Sequence, residues 1–291
     1  MNDYLISVLL GIVEGLTEFL PVSSTAHLRI SEALLHIPLD DAYWKMYTIV
    51  IQLGAILALC LLFLGRIIEF TRTFPKGENG DRTIWNHPIS LTFFAFVCTA
   101  GPSLLLIKLI GKNLESIHAM ALALLIGGIV MWIIDFVMVR QDPPTHDVEQ
   151  MTFWQAIFIG ICQVTSAVFP GTSRSMSTIA AGQLVGMTRP TALEFSFLLS
   201  IPTMLAATVY DLFKTLHHSH AAAADAIAPL VMTQKNWIVL AIGFVVSFFV
   251  ALGVVEWFLQ WVRKHGFVLF AVYRILLAAA LLVFGSKLMT S

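Results

Sequence analysis

Six stretches of the chain run apolar for about 20 residues, the length an α-helix needs to cross a hydrocarbon core. They cover approximately 46–65, 91–110, 117–139, 191–213, 237–260 and 267–286. Two further apolar stretches, 4–36 and 153–187, are each interrupted by proline and a cluster of hydroxyls. Each reads as two short helices around a break, and irregular backbone at membrane depth is tolerated only where protein buries it or a wet cavity accepts it. The pattern predicts an all-α integral membrane protein with about six transmembrane helices and two re-entrant helical hairpins.

The two interrupted stretches align with each other. LLGIVEGLTEFLPVSSTAH and FIGICQVTSAVFPGTSRSM pair Gly11 with Gly160, Glu14 with Gln163, Pro21 with Pro170 and Ser24 with Ser173 at one constant offset, which sets Arg174 opposite Thr25. An odd number of spans lies between the copies, so the second must enter from the opposite face. The expectation is a single membrane domain over 1–291 carrying an inverted-topology repeat, approximately 4–65 and 153–213, with a site where the breaks meet. Lys and Arg concentrate in the loops 66–90, 140–152, 187–190 and 261–266, which predicts that side as cytoplasmic and both termini outside. Trp44, Trp154, Trp237 and Trp261 fall at segment ends as an interfacial belt; Trp132 does not and is expected to pack inside.

Composition agrees: 58% of the 291 residues are hydrophobic and 12% charged, and the mean hydropathy is +0.84. A formal net charge of -1 argues against a nucleic-acid partner, which calls for a basic face. Cys60, Cys98 and Cys162 lie in apolar runs with neither metal nor disulfide spacing and read as small buried hydrophobes. The N-terminus lacks the basic start and cleavage pattern of a secretory signal.

Glu14 and Glu18 share one helical face, and two carboxylates buried there need a wet cavity, a cation or a proton. Pro21 ends that helix and Ser23 is placed to cap the next, whose free N–H groups and dipole form an anion site. Ser24 and His27 share its first turn, supplying a nucleophile and an acid or base. In the second copy Gly171 permits a tight turn. Ser173, Ser175, Ser177 and Thr178 bring hydroxyls, and Arg174 brings a fork suited to phosphate, or to pairing with Glu14 or Glu18. His217, His218 and His220 lie in a predicted loop, 214–236, and are read as solvated rather than zinc-binding. Asp135 and Asp211, near helix ends, are assigned no function.

At these residues the sequence resembles the undecaprenyl-diphosphate phosphatase family, also called bacitracin-resistance proteins. EGLTEFLPVSSTAH from Glu14 to His27 and PGTSRS from Pro170 to Ser175 are similar to its two signatures. VIQLGAILA from Val50, EFSFLLSIP from Glu194 and FAVYR ending at Arg274 are further matches. The resemblance implies a hydrolase of the bacterial inner membrane, with its site on the periplasmic side. That enzyme removes the terminal phosphate of a C55 polyprenyl diphosphate and yields the monophosphate that carries cell-wall precursors. It implies a divalent cation, Mg²⁺ or Ca²⁺, held by Glu14 and Glu18.

Ser24, His27, Glu18, Glu14 and Arg174 become the catalytic set, with Ser24, His27 or water as nucleophile. Arg174, Ser173, Ser175, Thr178 and Thr25 are expected to bind phosphate; Gln52 and Glu194, in apolar helices of the two repeats, are expected either as outer partners of the site or as helix-packing hydrogen-bond groups. The expected partners are the polyprenyl diphosphate lipid and the bilayer, with no nucleic acid; a homodimer is compatible with the sequence. Ala26 and Met176 depart from the family pattern, and Met176 is expected to add bulk beside Arg174. A transporter or lipid flippase is the alternative that an inverted repeat with midplane carboxylates leaves open.

Overall fold

The computed structural model describes residues 2–38, 41–78, 80–110, 117–138, 142–221 and 232–290, with side chains except at 107–110, 214–221 and 286–290. The described residues are helical apart from turns, one 3-10 turn at Val148–Gln150 and an isolated bridge between Thr145 and Met187. The helices are α1 Asp3–Thr17, α2 Ser24–Leu34, α3 Ala42–Leu62, α4 Leu64–Thr73, α5 Pro88–Ile110, α6 Ile117–Met138, α7 Phe153–Val168, α8 Arg174–Leu184, α9 Arg189–Ala221, α10 Gln234–His265 and α11 Val268–Thr290. Six of them, α3, α5, α6, α9, α10 and α11, are long and apolar enough to cross a membrane.

The expected spans are present, with shifted ends that have local causes. Helix α3 begins earlier than expected because Asp41 caps it, its Oδ1 accepting from Tyr43 N and Trp44 N. Helix α10 begins at a Thr233 cap and runs through the predicted loop 261–266 to Gly266, with Arg263, Lys264 and His265 in its last turn, where they oppose the helix dipole. Helix α9 continues to Ala221, so 214–221 is not loop; the side chains of His217, His218 and His220 lie outside the described residues. Helix α4 occupies part of the predicted loop 66–90, since Ile67 and Phe70 recur at helical spacing and pack on the core. Trp132 is exposed rather than packed inside.

The two broken stretches are helix pairs of matching design. Asn2 caps α1 and Thr152 caps α7. Ser23 and Ser173 cap α2 and α8, both at positive φ, 73° and 71°. After each second helix the chain turns through a left-handed residue, His36 or Gly186, and the next amide returns to the helix, Ile37 N to Glu32 O and Met187 N to Gly182 O. The single offset of the alignment therefore requires correction. It holds from Gly11 and Gly160 to Pro21 and Pro170, and then grows by one residue, because the second copy carries Gly171, at φ +96°, in its turn. Ser23 corresponds to Ser173, and Arg174 occupies the position of Ser24, not Thr25.

Packing exchanges the halves. Helix α1 lies on α10, the second span after the other break, and α7 lies on α5 in the same relation; α2 touches α11 and α8 touches α6; α3 meets α9, and α6 meets α11. Glycine makes the closest crossings possible. A Cβ at Gly11 would come 2.8 Å from Gly243 O, and one at Gly160 2.4 Å from Ala95 O.

Polar groups pin the ends. Asp135, fully buried, accepts from Arg189 Nε at 2.7 Å and from Phe267 N at 3.1 Å, tying α6 to α9 and to the turn before α11. At the foot of α4, Arg66 faces four carboxylates: Glu194 at 3.0 Å, Glu69 at 3.2 Å, Asp147 at 3.4 Å and Glu149 at 3.6 Å. Burial and Asp147 push the Glu149 carboxyl up, partly offset by Arg66. Arg66→Ala leaves four acids without their common cation and is expected to lower the thermal midpoint in detergent. The loss should shrink as pH falls and the Glu149 carboxyl, held high by burial and Asp147, takes up its proton. A pH-independent loss would contradict the electrostatic account.

Candidate active site

The site forms where the two breaks meet. Glu18 is the C-cap of α1, its N–H bonded to Glu14 O, and the backbone then turns through Pro21 to the Ser23 cap. Ser23 presents its Oγ to Ala26 N at 3.4 Å, which leaves Ser24 as the first residue of α2. Ser173 does the same for α8 through Met176 N, and leaves Arg174 first. Two helix N-termini, each the positive end of a dipole with unpaired N–H groups, are thus set around one carboxylate. Positive φ at a serine is strained, and both breaks hold that strain next to their polar residues.

Glu18 is the hub. Ser24 Oγ donates to its Oε2 at 2.5 Å, and Arg174 Nη2 lies 3.6 Å from its Oε1. Its backbone carbonyl accepts from Ser175 Oγ at 3.4 Å. The guanidinium of Arg174 lies over the Phe19 ring at 5.8 Å and donates to Ser196 O at 3.5 Å. Its Nε and Nη2, both buried, have no hydrogen-bond partner. A buried guanidinium with open donors is set for an incoming anion, which would supply the missing acceptors. Thr178 stands behind Arg174, its hydroxyl donating to Arg174 O at 3.0 Å and sharing a hydrogen bond with Ser196 Oγ at 2.6 Å.

Glu14, one turn earlier on α1, is 1% exposed, and neither carboxylate oxygen has a hydrogen-bond partner. Orphaned hard oxygens beside Glu18 fit a divalent cation. Among the described residues no group of three or more His, Cys, Asp or Glu side chains is arranged to hold a metal ion; Glu14 and Glu18 fit the one or two carboxylates that Mg²⁺ uses when substrate phosphates complete its shell.

The other predicted residues separate. Ser173 spends its hydroxyl on the α8 cap, Thr25 is exposed without a side-chain hydrogen bond, and His27 turns from Ser24 and Glu18. The His27 ring lies between Ser23 O, 2.7 Å from Nδ1, and Tyr273 OH, 2.5 Å from Nε2. Gln52 accepts from Thr208 at 3.4 Å, a bond between α3 and α9. Glu194 is not a partner of the site: Arg66 binds it at 3.0 Å. Met176 does not crowd Arg174. It is buried toward α6, with its Cε 2.7 Å from where a Cβ at Gly127 would stand, so Gly127 makes the room that Met176 fills. Ala26 is fully buried against Met120, Ala121 and Leu124.

Arg274 is a residue of the site that the motif pattern does not single out. It is fully buried and donates to Pro21 O at 3.1 Å, Thr172 O at 2.9 Å, Gly171 O at 3.2 Å and Ala123 O at 3.2 Å. One side chain on α11 thereby satisfies carbonyls that both breaks leave open, and fixes the breaks to each other. The signal was available: an arginine inside an apolar span is a functional hypothesis by default.

Residues 7–280 match the family described as bacitracin resistance protein BacA. The chain is 63% identical over 287 residues, 99% of its length and 100% of the relative's, to a protein from Koribacter versatilis named undecaprenyl-diphosphatase. It is 41% identical over 281 residues to one of that name from Rhizobium etli, covering 96% of each chain. To one from Persephonella marina it is 39% identical over 278 residues, covering 96% of this chain and 97% of the relative.

Proposed function

Because the chain belongs to the bacitracin resistance protein BacA family, we propose that it is a multi-pass membrane hydrolase acting as an undecaprenyl-diphosphatase. It removes the terminal phosphate of a polyprenyl diphosphate and releases the monophosphate carrier. The observation that carries the mechanism is the Ser24 hydroxyl donating to Glu18 Oε2 at 2.5 Å while Arg174 approaches the other oxygen at 3.6 Å. A hydroxyl on a carboxylate base is an activated nucleophile, and a fork beside it suits the charge of a phosphoryl group in transfer.

Ser24 Oγ attacks the terminal phosphorus, its proton passing to Glu18, as the bond to the bridging oxygen breaks and prenyl monophosphate leaves. The proton on Glu18 passes to the departing monophosphate; water then cleaves the phosphoserine, its proton going to the free Glu18 carboxylate and from there to Ser24 Oγ as inorganic phosphate leaves. Arg174 and the N–H groups opening α2 and α8 hold the phosphate oxygens, with Ser173 and Thr178 setting the α8 end and Arg174 backbone. Glu14 and Glu18 are the residues that would hold Mg²⁺ or Ca²⁺, which when bound neutralises diphosphate charge. The two hairpins enter from opposite faces as an inverted repeat, a reading supported by the exchanged packing of α1 on α10 and α7 on α5. The bias of Lys and Arg supports a bacterial inner membrane topology with the Arg66 end cytoplasmic and the site open outward.

Glu18→Gln keeps the shape and removes the base. It is expected to lower turnover on a C55 diphosphate by about 10²–10⁴-fold, measured as phosphate release in detergent; turnover within twofold of the parent would remove Glu18 from the base role.

A further inference from the structure

His27 stands on the first turn of α2, yet its ring nitrogens serve neither Ser24 nor Glu18. Nδ1 lies 2.7 Å from Ser23 O. A carbonyl only accepts, so Nδ1 carries a hydrogen, and in the neutral ring Nε2 is the acceptor. The group within reach of Nε2 is Tyr273 OH, at 2.5 Å, which must donate. The two rings are nearly parallel, 12° apart with centroids separated by 5.6 Å. Tyr273 is itself held firmly, for its neighbour Arg274 is locked to Pro21, Gly171 and Thr172 carbonyls. The tyrosine is 42% exposed, so its hydroxyl connects the imidazole to the outside of the helix cluster.

We propose that Tyr273 is a positioning residue for the reaction: His27, in the first turn of the helix that Ser24 opens, relays the proton of the departing phosphate, and the Tyr273 hydroxyl fixes the tautomer and orientation of that ring. This rests on the hydrolase reading. The hydroxyl matters more than the ring, because a phenyl group keeps the stack but leaves Nε2 without a donor. In the protonated ring both nitrogens donate, so Tyr273 must rotate its hydrogen away and accept. The hydroxyl therefore couples the state of His27 to its own orientation, and its loss alters the pH dependence of turnover rather than substrate binding.

Two measurements on the full-length protein in detergent test this. In the first, diethyl pyrocarbonate modification of the His27 peptide is followed by mass spectrometry. Tyr273→Phe is expected to speed modification severalfold, because Nε2 is freed, while His265 on α10 reacts as before; an unchanged rate at His27 overturns the proposal. In the second, Tyr273→Phe shifts one limb of the kcat pH profile with KM little changed, and does nothing further in a His27→Ala background. Independent, additive effects of the two substitutions also overturn it. The first arm needs no activity, so failure of the parent protein to release phosphate would refute the hydrolase reading and leave the His27–Tyr273 pairing to be decided on its own.

Discussion

Arg174→Ala is expected to lower kcat/KM for polyprenyl diphosphate by about 10³–10⁵-fold, the range in which an arginine stabilises a phosphoryl group in transfer. The structure explains why so large a loss should be catalytic rather than structural. Within the protein Arg174 makes one long hydrogen bond, 3.5 Å to Ser196 O, an ion pair with Glu18 at 3.6 Å and a contact over the Phe19 ring, while its Nε and Nη2 have no hydrogen-bond partner. Little of its bonding capacity holds the fold together, and most is left for a ligand. The thermal midpoint of the variant should accordingly stay close to the parent's. Arg174→Lys keeps the charge but loses the fork, and should recover only part of the rate. A large fall in thermal midpoint with modest loss of rate would reverse this division.

Arg274→Met makes the opposite prediction. Methionine fills similar volume but leaves the Pro21, Gly171 and Thr172 carbonyls of the two breaks without the donor that the fully buried Arg274 supplies, while Ala123, inside α6, loses only an additional bond. Unsatisfied buried acceptors cost about 1–3 kcal/mol each, and relaxation recovers part of that, so the fall should be on the order of 10 °C in thermal midpoint for a domain of this size. Activity falls with it, because the same bonds set the distance between Ser24 and Arg174. A thermal scan in detergent with turnover measured on the folded fraction checks both; an unchanged midpoint would mean that the breaks do not depend on α11.

These two arginines also mark how far the sequence could be read. The spans were legible because hydrophobic runs of membrane length have few alternatives. The breaks were legible because proline and serine interrupt them at matching places. That Arg174 pairs with Glu14 or Glu18 follows from the need of buried charges for partners, and the structure selects Glu18; the Ser23 cap follows from its place before a helical run.

What escaped was governed by contacts distant in sequence. The one-residue slip at Gly171 changes which residue opens α8, and glycine, a common turn residue, gave no warning that the second turn was longer. Glu194 lies in a span, which by pattern alone allows a place beside the site, yet Arg66, at the foot of a helix whose sequence looks like loop, binds it at 3.0 Å. Tyr273 and Arg274 belong to α11, far along the chain from both breaks. Periodicity places their helix but cannot say which backbone carbonyls it meets. Sequence adjacency places Met176 as bulk beside Arg174, but its room comes from Gly127 on another helix.

Ser24, Glu18 and Arg174 should act as a phosphoryl-transfer site that needs no transmembrane gradient. Inorganic phosphate release from undecaprenyl diphosphate by the purified protein in detergent, with Mg²⁺ or Ca²⁺, tests it most directly. The prediction is steady release by the parent protein and loss of about 10³-fold or more in Arg174→Ala. No release from the folded parent, together with Arg174-dependent lipid movement in vesicles, would contradict the claim and favour a transporter.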